Sequence, residues 1–267
     1  AALLTAATSG VSTELWSVSR INGSTVYAGG AAGVIVKSAD SGGTWTRKAG
    51  GLTAATMQSI SFTSDTTGVA VGDGGLAVKT TDGGERWTAG SGVGATHNLY
   101  GVHMLSASSA VAVGCEVPSG TTCTAAVAYK TSDGGSNWTA MAVPGGLEDL
   151  RSVRMADLNT GWAVGSNGTV LNTTDGANWA AVVTGIAADV DLYGVDTLNG
   201  VQVWMAGAAP CVGAECDHGA DSGGQTTKGY LAKYDSGGST LSSSDKLDSN
   251  MLNGIDVVTD GGTPVGY

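Results

Sequence analysis

The sequence predicts an all-β fold, a β-propeller of four-stranded antiparallel blades, and three observations carry the prediction. First, a four-residue phrase recurs six times: Leu15-Trp16-Ser17-Val18, Met57-Gln58-Ser59-Ile60, Leu99-Tyr100-Gly101-Val102, Leu150-Arg151-Ser152-Val153, Leu192-Tyr193-Gly194-Val195 and Leu252-Asn253-Gly254-Ile255. Its copies are spaced by 42, 42, 51, 42 and 60 residues, and a period of roughly 40 to 45 residues marks a propeller blade. Second, each repeat reads as short apolar runs separated by Gly, Asp, Asn and Ser, as over 58–62, 68–72, 76–80 and 86–89. That is the pattern of four strands joined by tight turns. Third, 44 glycines and a single phenylalanine in 267 residues suit a turn-rich β protein.

The repeats cover approximately residues 15–56, 57–98, 99–149, 150–191 and 192–251, with a partial sixth over 252–267. The reading is one propeller domain, with five complete repeats, the start of a sixth, and six or more blades in the full chain. Residues 1–11 align with a fourth strand, the outer strand of a closing blade, and 264–267 with the second strand of the sixth. An open blade exposes strand edges that favour association, either with further chain or with a partner subunit.

The third turn of the repeat carries the sharpest motif: Ser38-Ala39-Asp40-Ser41-Gly42-Gly43-Thr44-Trp45, Thr80-Thr81-Asp82-Gly83-Gly84-Glu85-Arg86-Trp87, Thr131-Ser132-Asp133-Gly134-Gly135-Ser136-Asn137-Trp138 and the shorter Thr173-Thr174-Asp175-Gly176-Ala177-Asn178-Trp179. A degenerate copy is Tyr234-Asp235-Ser236-Gly237-Gly238. An Asp side chain accepts backbone N–H groups across such a turn, the glycine takes positive φ, and the Trp re-enters the sheet as an apolar anchor. Because Asp40, Asp82, Asp133 and Asp175 with Trp45, Trp87, Trp138 and Trp179 occur once per repeat, they read as structural; an active site needs one arrangement.

This motif resembles the Asp-box, or BNR, repeat over nearly the whole chain. The fuller pattern, as in Gly161-Trp162-Ala163-Val164-Gly165-Ser166-Asn167-Gly168-Thr169-Val170 followed by Thr173-Thr174-Asp175-Gly176, is most similar to the photosystem II assembly/stability factor type of repeat. The resemblance implies a lumenal or periplasmic, non-enzymatic chaperone that docks a membrane-protein subunit through an arginine-rich patch. Here only Arg151 and Arg154 lie close together in a repeat, so the architecture and the protein-binding character carry over, but not the partner. Asp-box repeats also occur in sialidases, other glycoside hydrolases, sorting receptors and secreted surface proteins.

The formal net charge of −11 and the scattering of twelve Lys and Arg exclude a nucleic-acid surface. An acidic surface suits solubility, Ca²⁺ association or a basic partner. No run approaches the roughly 20 apolar residues of a membrane span, and residues 1–14 lack a basic start, so neither insertion nor a signal peptide is expected of this segment.

The cysteines fall where the period breaks. The third repeat is longer by nine residues and the fifth by 18, each excess lying between second and third strands. Cys115 with Cys123 and Cys211 with Cys216 read as disulfides stapling these loops, which implies an extracellular, cell-surface or periplasmic location. The competing reading takes Cys211, Cys216 and His218, with Asp217 or Asp221, as a metal site. The loop 215–221 also offers oxygen ligands for Ca²⁺. No other cofactor is implied.

In an up-and-down blade the Asp boxes share one end with the first turns, while the cysteine loops share the other with the interblade segments. Variable loops are where a scaffold carries function, so the contact face is placed at the cysteine-loop end. The second residue of the phrase opens each innermost strand there. Trp16, Gln58, Tyr100, Arg151, Tyr193 and Asn253 would then surround a channel mouth, and aromatic, amide and guanidinium groups suit a glycan or a peptide. The alternative is that they pack between blades. Three positions on, His103, Arg154 and Asp196 are polar. A sialidase would need an arginine triad that this chain does not supply. A two-carboxylate glycosidase has Glu148, Asp149, Asp191 and Asp196 to draw on. The function expected is a non-enzymatic binding or structural module for a protein or glycan partner, with glycoside hydrolysis as the alternative.

Overall fold

The computed structural model describes residues 9–48, 56–118, 122–210, 227–235, 240–247, 255, 257–260 and 263–266. The degenerate Asp-box turn after Asp235, the loop with Cys211 and Cys216, and Asn253 lie outside the described residues, as does most of 1–11; Ser9 to Val11 carry no strand.

Five sheets of four antiparallel strands follow one another in sequence order. They comprise β1 (Leu15–Arg20) to β4 (Thr46–Lys48), β5 (Met57–Phe62) to β8 (Thr88–Ala89), and β9 (His97–Met104) to β12 (Thr139–Ala140). The next are β13 (Ser152–Met155) to β16 (Ala180–Ala181) and β17 (Asp191–Thr197) to β20 (Thr240–Leu247). A hairpin of β21 (Val257–Asp260) and β22 (Thr263–Gly266) comes last. Each sheet is a propeller blade, as the repeat predicts. The chain divides into two compact units, residues 1–122 with 128–140, and 123–127 with 141–267.

The second strand of a blade is buried on both faces, so it reads as a continuous apolar run and not as an alternating one. Val26–Gly30 (β2), Gly68–Gly72 (β6), Ala110–Glu116 (β10) and Gly161–Val164 (β14) are of this kind. Between blades, side chains of facing sheets form the core. In unit 1, Tyr27, Ile35, Met57, Ile60, Phe62, Ala70 and Val78 cluster, and the Tyr27 ring stacks on Phe62 with centroids 3.7 Å apart. The Tyr27 hydroxyl donates to the Asp65 carbonyl at 2.8 Å. In unit 2, Trp162, Val164, Leu192, Val195, Val203 and Met205 belong to one cluster, and the Trp162 indole N–H donates to the Gly200 carbonyl at 2.9 Å. A buried aromatic thus spends its polar atom on the next blade's first turn.

An innermost strand pairs with its own second strand and leaves its other edge open. The preceding blade fills that edge with hydroxyls. Ile60 and Phe62 donate their N–H groups to Ser17 and Ser19 Oγ at 3.1 and 3.0 Å, and Val102 and Met104 donate to Ser59 and Ser61 Oγ at 3.2 and 3.0 Å. Val195 donates to Ser152 Oγ at 3.3 Å within unit 2. The Ser of the recurring phrase is therefore an interblade acceptor.

The Asp boxes are closed by the predicted bonds. Asp133 Oδ1 accepts from the Asn137 N–H and the Thr131 hydroxyl, both at 2.9 Å, and its Oδ2 accepts from Asn137 Nδ2 at 2.7 Å. Asp40 accepts likewise from Thr44 N–H and Oγ1 and from Ser38. Asp82 accepts from Arg86 N–H and Thr80, and Asp175 from Asn178 and Ala177. The box also receives the preceding blade's exit segment. Ser91 N–H donates to the Ser136 carbonyl and Trp138 N–H to the Ser91 carbonyl, giving a parallel bridge from Ser91 to Asn137. Backbone donors stabilise the charged form, so Thr44 holds the Asp40 carboxyl down to about 2, Asn137 holds Asp133 down to about 2, and Asp82 and Asp175 are lowered as well.

Across from the start of each innermost strand stands a glycine in extended backbone. A Cβ on Gly72 would meet the Thr56 carbonyl oxygen at 2.0 Å, and one on Gly207 the Asp191 oxygen at 2.0 Å. Gly30, Gly114 and Gly165 repeat the close approach at 1.9 to 2.1 Å. Gly72→Ala should therefore cost about 1–3 kcal/mol or more in urea unfolding, whereas Gly145→Ala, with nothing within 4 Å, should change stability by less than about 0.5 kcal/mol.

A second prediction concerns acid. The hydrogen bonds from Thr44 and Asn137 hold the folded carboxyls of Asp40 and Asp133 down to about 2, below the ordinary Asp value of 3.8. Their stabilisation is complete above the unfolded value and is lost as pH falls through the folded one. Asp133→Ala should flatten the decline in thermal midpoint between about pH 4 and 2 relative to the parent; an unchanged slope would refute the assignment.

Candidate binding site on the bulged inner strands

The second residue of the recurring phrase sits in the same backbone device in every described blade. In β1, Leu15 opposes Gly30 and Ser17 opposes Gly29, which leaves Trp16 as an extra residue. The register skips Gln58 between Met57 and Ser59, Tyr100 between Leu99 and Gly101, and Tyr193 between Leu192 and Gly194. At the start of β13, Arg151 N–H donates to the Val164 carbonyl at 2.7 Å while Ser152 is the residue paired with Val164. These are β-bulges, which bend the strand and re-aim one side chain. The phrase keeps a constant length, so the bulge leaves no trace in its spacing.

In unit 1, Trp16 is 46% exposed and its indole N–H donates to Glu14 Oε2 at 3.3 Å. Gln58 Nε2 donates to Asp73 Oδ1 at 2.9 Å. The Tyr100 hydroxyl lies 3.4 Å from Cys115 Sγ, and Cys115 and Cys123 are both disulfide-bonded. His103 lies on β9 opposite Val111.

In unit 2, Arg151 is held from two sides. Its Nε donates to Asp149 Oδ2 at 3.0 Å and its Nη1 to Asp191 Oδ2 at 3.1 Å. The guanidinium also lies over the Tyr193 ring, 4.6 Å from its centroid. Asp149 is buried, and its Oδ1 accepts from the N–H of Ser166 at 2.9 Å and from the Ser166 hydroxyl. Asn167 N–H reaches Asp191 Oδ1 at 3.3 Å. Burial lowers the Arg151 pKa, but Asp149 and then Asp191 outweigh it and the net shift is upward. Three residues farther along the strand, Arg154 Nε pairs with Asp196 Oδ1 at 2.9 Å.

Three of the four carboxylates available for glycoside chemistry are thus already paired with guanidinium groups. Arg151 bridges Asp149 and Asp191, and Arg154 engages Asp196. The His97 Nδ1 lies 2.6 Å from the Tyr129 hydroxyl, so that nitrogen is also taken. Among the described residues no group of three or more His, Cys, Asp or Glu is arranged to hold a metal, and no described helix is long and apolar enough to cross a membrane.

The sequence pattern of the photosynthesis system II assembly factor YCF48 family matches residues 11–151. The chain belongs to this family. Among curated proteins none matches it. YCF48 from Cyanidioschyzon merolae superposes with a TM-score of 0.55 at 18% identity, covering 93% of this chain and 90% of that one. An ancestral GH74 enzyme gives a TM-score of 0.67 at 14% identity over 92% of this chain. The GH74 enzyme from Niastella koreensis gives 0.59 at 18% over 85%. The chain spans only 32% and 38% of those two enzymes. These likenesses establish the BNR-type propeller fold.

Removing Arg151 would leave the buried Asp149 carboxylate without its cation. Arg151→Ala should lower unfolding stability by about 2–4 kcal/mol, and Arg151→Lys, which keeps charge but not the two-sided fork, should recover about half of that. Urea denaturation followed by tryptophan fluorescence checks both; equal losses would mean that the fork geometry matters more than the charge.

Proposed function

We propose that this chain is a non-enzymatic, protein-binding propeller of an oxidising, non-cytosolic compartment. It contacts its partner at the blade ends that carry the bulges and the 115–123 loop. The observation that supports this reading is the repeated bulge: one backbone device presents Trp16, Gln58, Tyr100, Arg151 and Tyr193 in successive blades. A constant scaffold with a varied side chain is what recognition needs and what repeated core packing does not. Family membership favours a protein partner, and the disulfide-bonded Cys115 and Cys123 favour an oxidising compartment.

A glycan-processing reading draws on the GH74 likeness in fold. Against it stand the carboxylates of Asp149 and Asp191, since a glycosidase needs one acid that holds a proton and one carboxylate facing the sugar, and Arg151 engages both.

The test is selection of peptides by display against the intact protein, followed by binding to Trp16→Ala and Tyr100→Ala, both in unit 1. Each substitution should weaken selected peptides about tenfold or more, in line with aromatic anchors at interface centres. Unchanged binding in both would move the contact to other surfaces. Turnover of a fluorogenic glycoside panel, abolished by Asp191→Asn, would replace this reading with the enzymatic one.

A further inference from the structure

The turn after the first strand of each four-stranded blade is closed by one side-chain oxygen. Asn22 Oδ1 accepts from the N–H groups of Ser24 and Thr25 at 2.9 and 2.8 Å. Ser64 Oγ, Ser106 Oγ and Asp157 Oδ1 take the N–H groups two and three residues on in the same way. Asn199 Oδ1 accepts from Val201 and Gln202, both at 3.0 Å. In the first and fifth blades the capping group is therefore a carboxamide, and the residue after it is glycine. Such a pair carries its own chemistry, because the glycine nitrogen can attack the carboxamide carbon with no Cβ in the way.

Three Asn-Gly pairs lie among the described residues, at 22–23, 167–168 and 199–200, and they differ in the state of that nitrogen. Gly168 N–H donates to the Val190 carbonyl at 2.6 Å, and Gly200 N–H donates to Thr197 Oγ1 at 3.0 Å. Both are engaged. Gly23 N–H donates to no group among the described residues, and Asn22, Gly23 and Ser24 are all exposed.

The other half of the reaction is prepared at Asn22. The ring closed by the bond from Ser24 N–H to Asn22 Oδ1 includes the Gly23 nitrogen, so the carboxamide is folded back beside it. Attack on Cγ turns Oδ1 into an oxyanion. Three donors already surround that oxygen: the N–H groups of Ser24 and Thr25, and the Ser24 hydroxyl at 3.0 Å. Donors placed in advance at about 2.7–3.1 Å from a developing oxyanion lower the barrier to forming it. Asn22 Nδ2 donates to Asp65 Oδ1, on the first turn of the next blade, at 3.4 Å.

We infer that Asn22-Gly23 is a self-modification site, at which the folded turn promotes conversion of the asparagine to aspartate and isoaspartate. The Gly23 nitrogen gives its proton to solvent and bonds to Asn22 Cγ; the Cγ–Nδ2 bond breaks, and the amide nitrogen takes a proton and leaves as ammonia. Water then opens the cyclic imide at either carbonyl. The product loses the amide donor that faces Asp65 and adds one negative charge to the turn. This conversion does not depend on the partner-binding role.

The experiment incubates the full chain in mildly alkaline buffer, with and without urea, and follows each asparagine by digestion and mass spectrometry. Trypsin releases residues 21–37, in which Asn22 is the sole side-chain amide. Conversion is read as the mass difference between an amide and an acid, with separate Asp and isoAsp peaks. Asn22 should convert faster in the folded chain than in urea, whereas Asn167 and Asn199, followed in chymotryptic peptides, should convert more slowly folded than unfolded. Ser24→Ala removes one donor to Oδ1 and should slow the folded-state conversion roughly three- to tenfold, as loss of one neutral hydrogen bond implies, with little change in urea. A folded-state rate for Asn22 equal to or below the rate in urea would overturn the inference, because the turn would then lock the amide instead of activating it. A Ser24→Ala variant that converts like the parent, or folded Asn167 or Asn199 converting as fast as Asn22, would overturn it as well.

Discussion

The open edge of the innermost strand is the constraint around which the molecule is organised. A four-stranded blade satisfies its interior ladders from within, but its first strand faces away from the sheet with N–H groups that must find acceptors. Side chains from the preceding blade supply them. Ser17, Ser19, Ser59, Ser61 and Ser152 each accept one such N–H, so the hydroxyl does in this protein what a neighbouring strand would do in a continuous sheet. A hydroxyl is short enough to keep adjacent inner strands close and carries the lone pairs required. Alanine would leave the amide unpaired, and a longer polar side chain would push the strands apart.

The bulge follows from the same crowding. At the start of each inner strand the chain arriving from the previous blade passes against the second strand so closely that only glycine fits there, as Gly72 and Gly207 illustrate. One extra residue relieves the register at that point and leaves its side chain outside the ladder. The bulged side chain is thereby separated from the sheet ladder. The residues before and after the bulge, such as Leu99 and Val102, are buried, while the bulged residue is free to be Trp, Gln, Tyr or Arg without disturbing them.

The sequence made the blades legible because the phrase, the apolar second strand and the Asp box are all local and repeated. The turn chemistry of Asp133 lies within six residues of itself, and its bonds could be written from the motif alone. Relations across a blade spacing were not legible. Ser17 reads as a polar residue on a strand until Ile60 is placed beside it, and Arg151 reads as an exposed binding group until Asp191, 40 positions away, is brought to its Nη1. The partner of an interblade side chain depends on how far two sheets are staggered, which no spacing encodes.

The Arg151 cluster shows how one arrangement can narrow function. Two carboxylates and one guanidinium leave a local net charge of −1, with Tyr193 stacked on the cation. A cationic patch for an anionic partner would require Arg151 to present its donors outward, but two of them already serve Asp149 and Asp191. A hydrolytic pair would require one of those carboxylates to be free of the arginine. At this cluster both requirements meet one obstacle, the planar guanidinium fork that bridges Asp149 and Asp191.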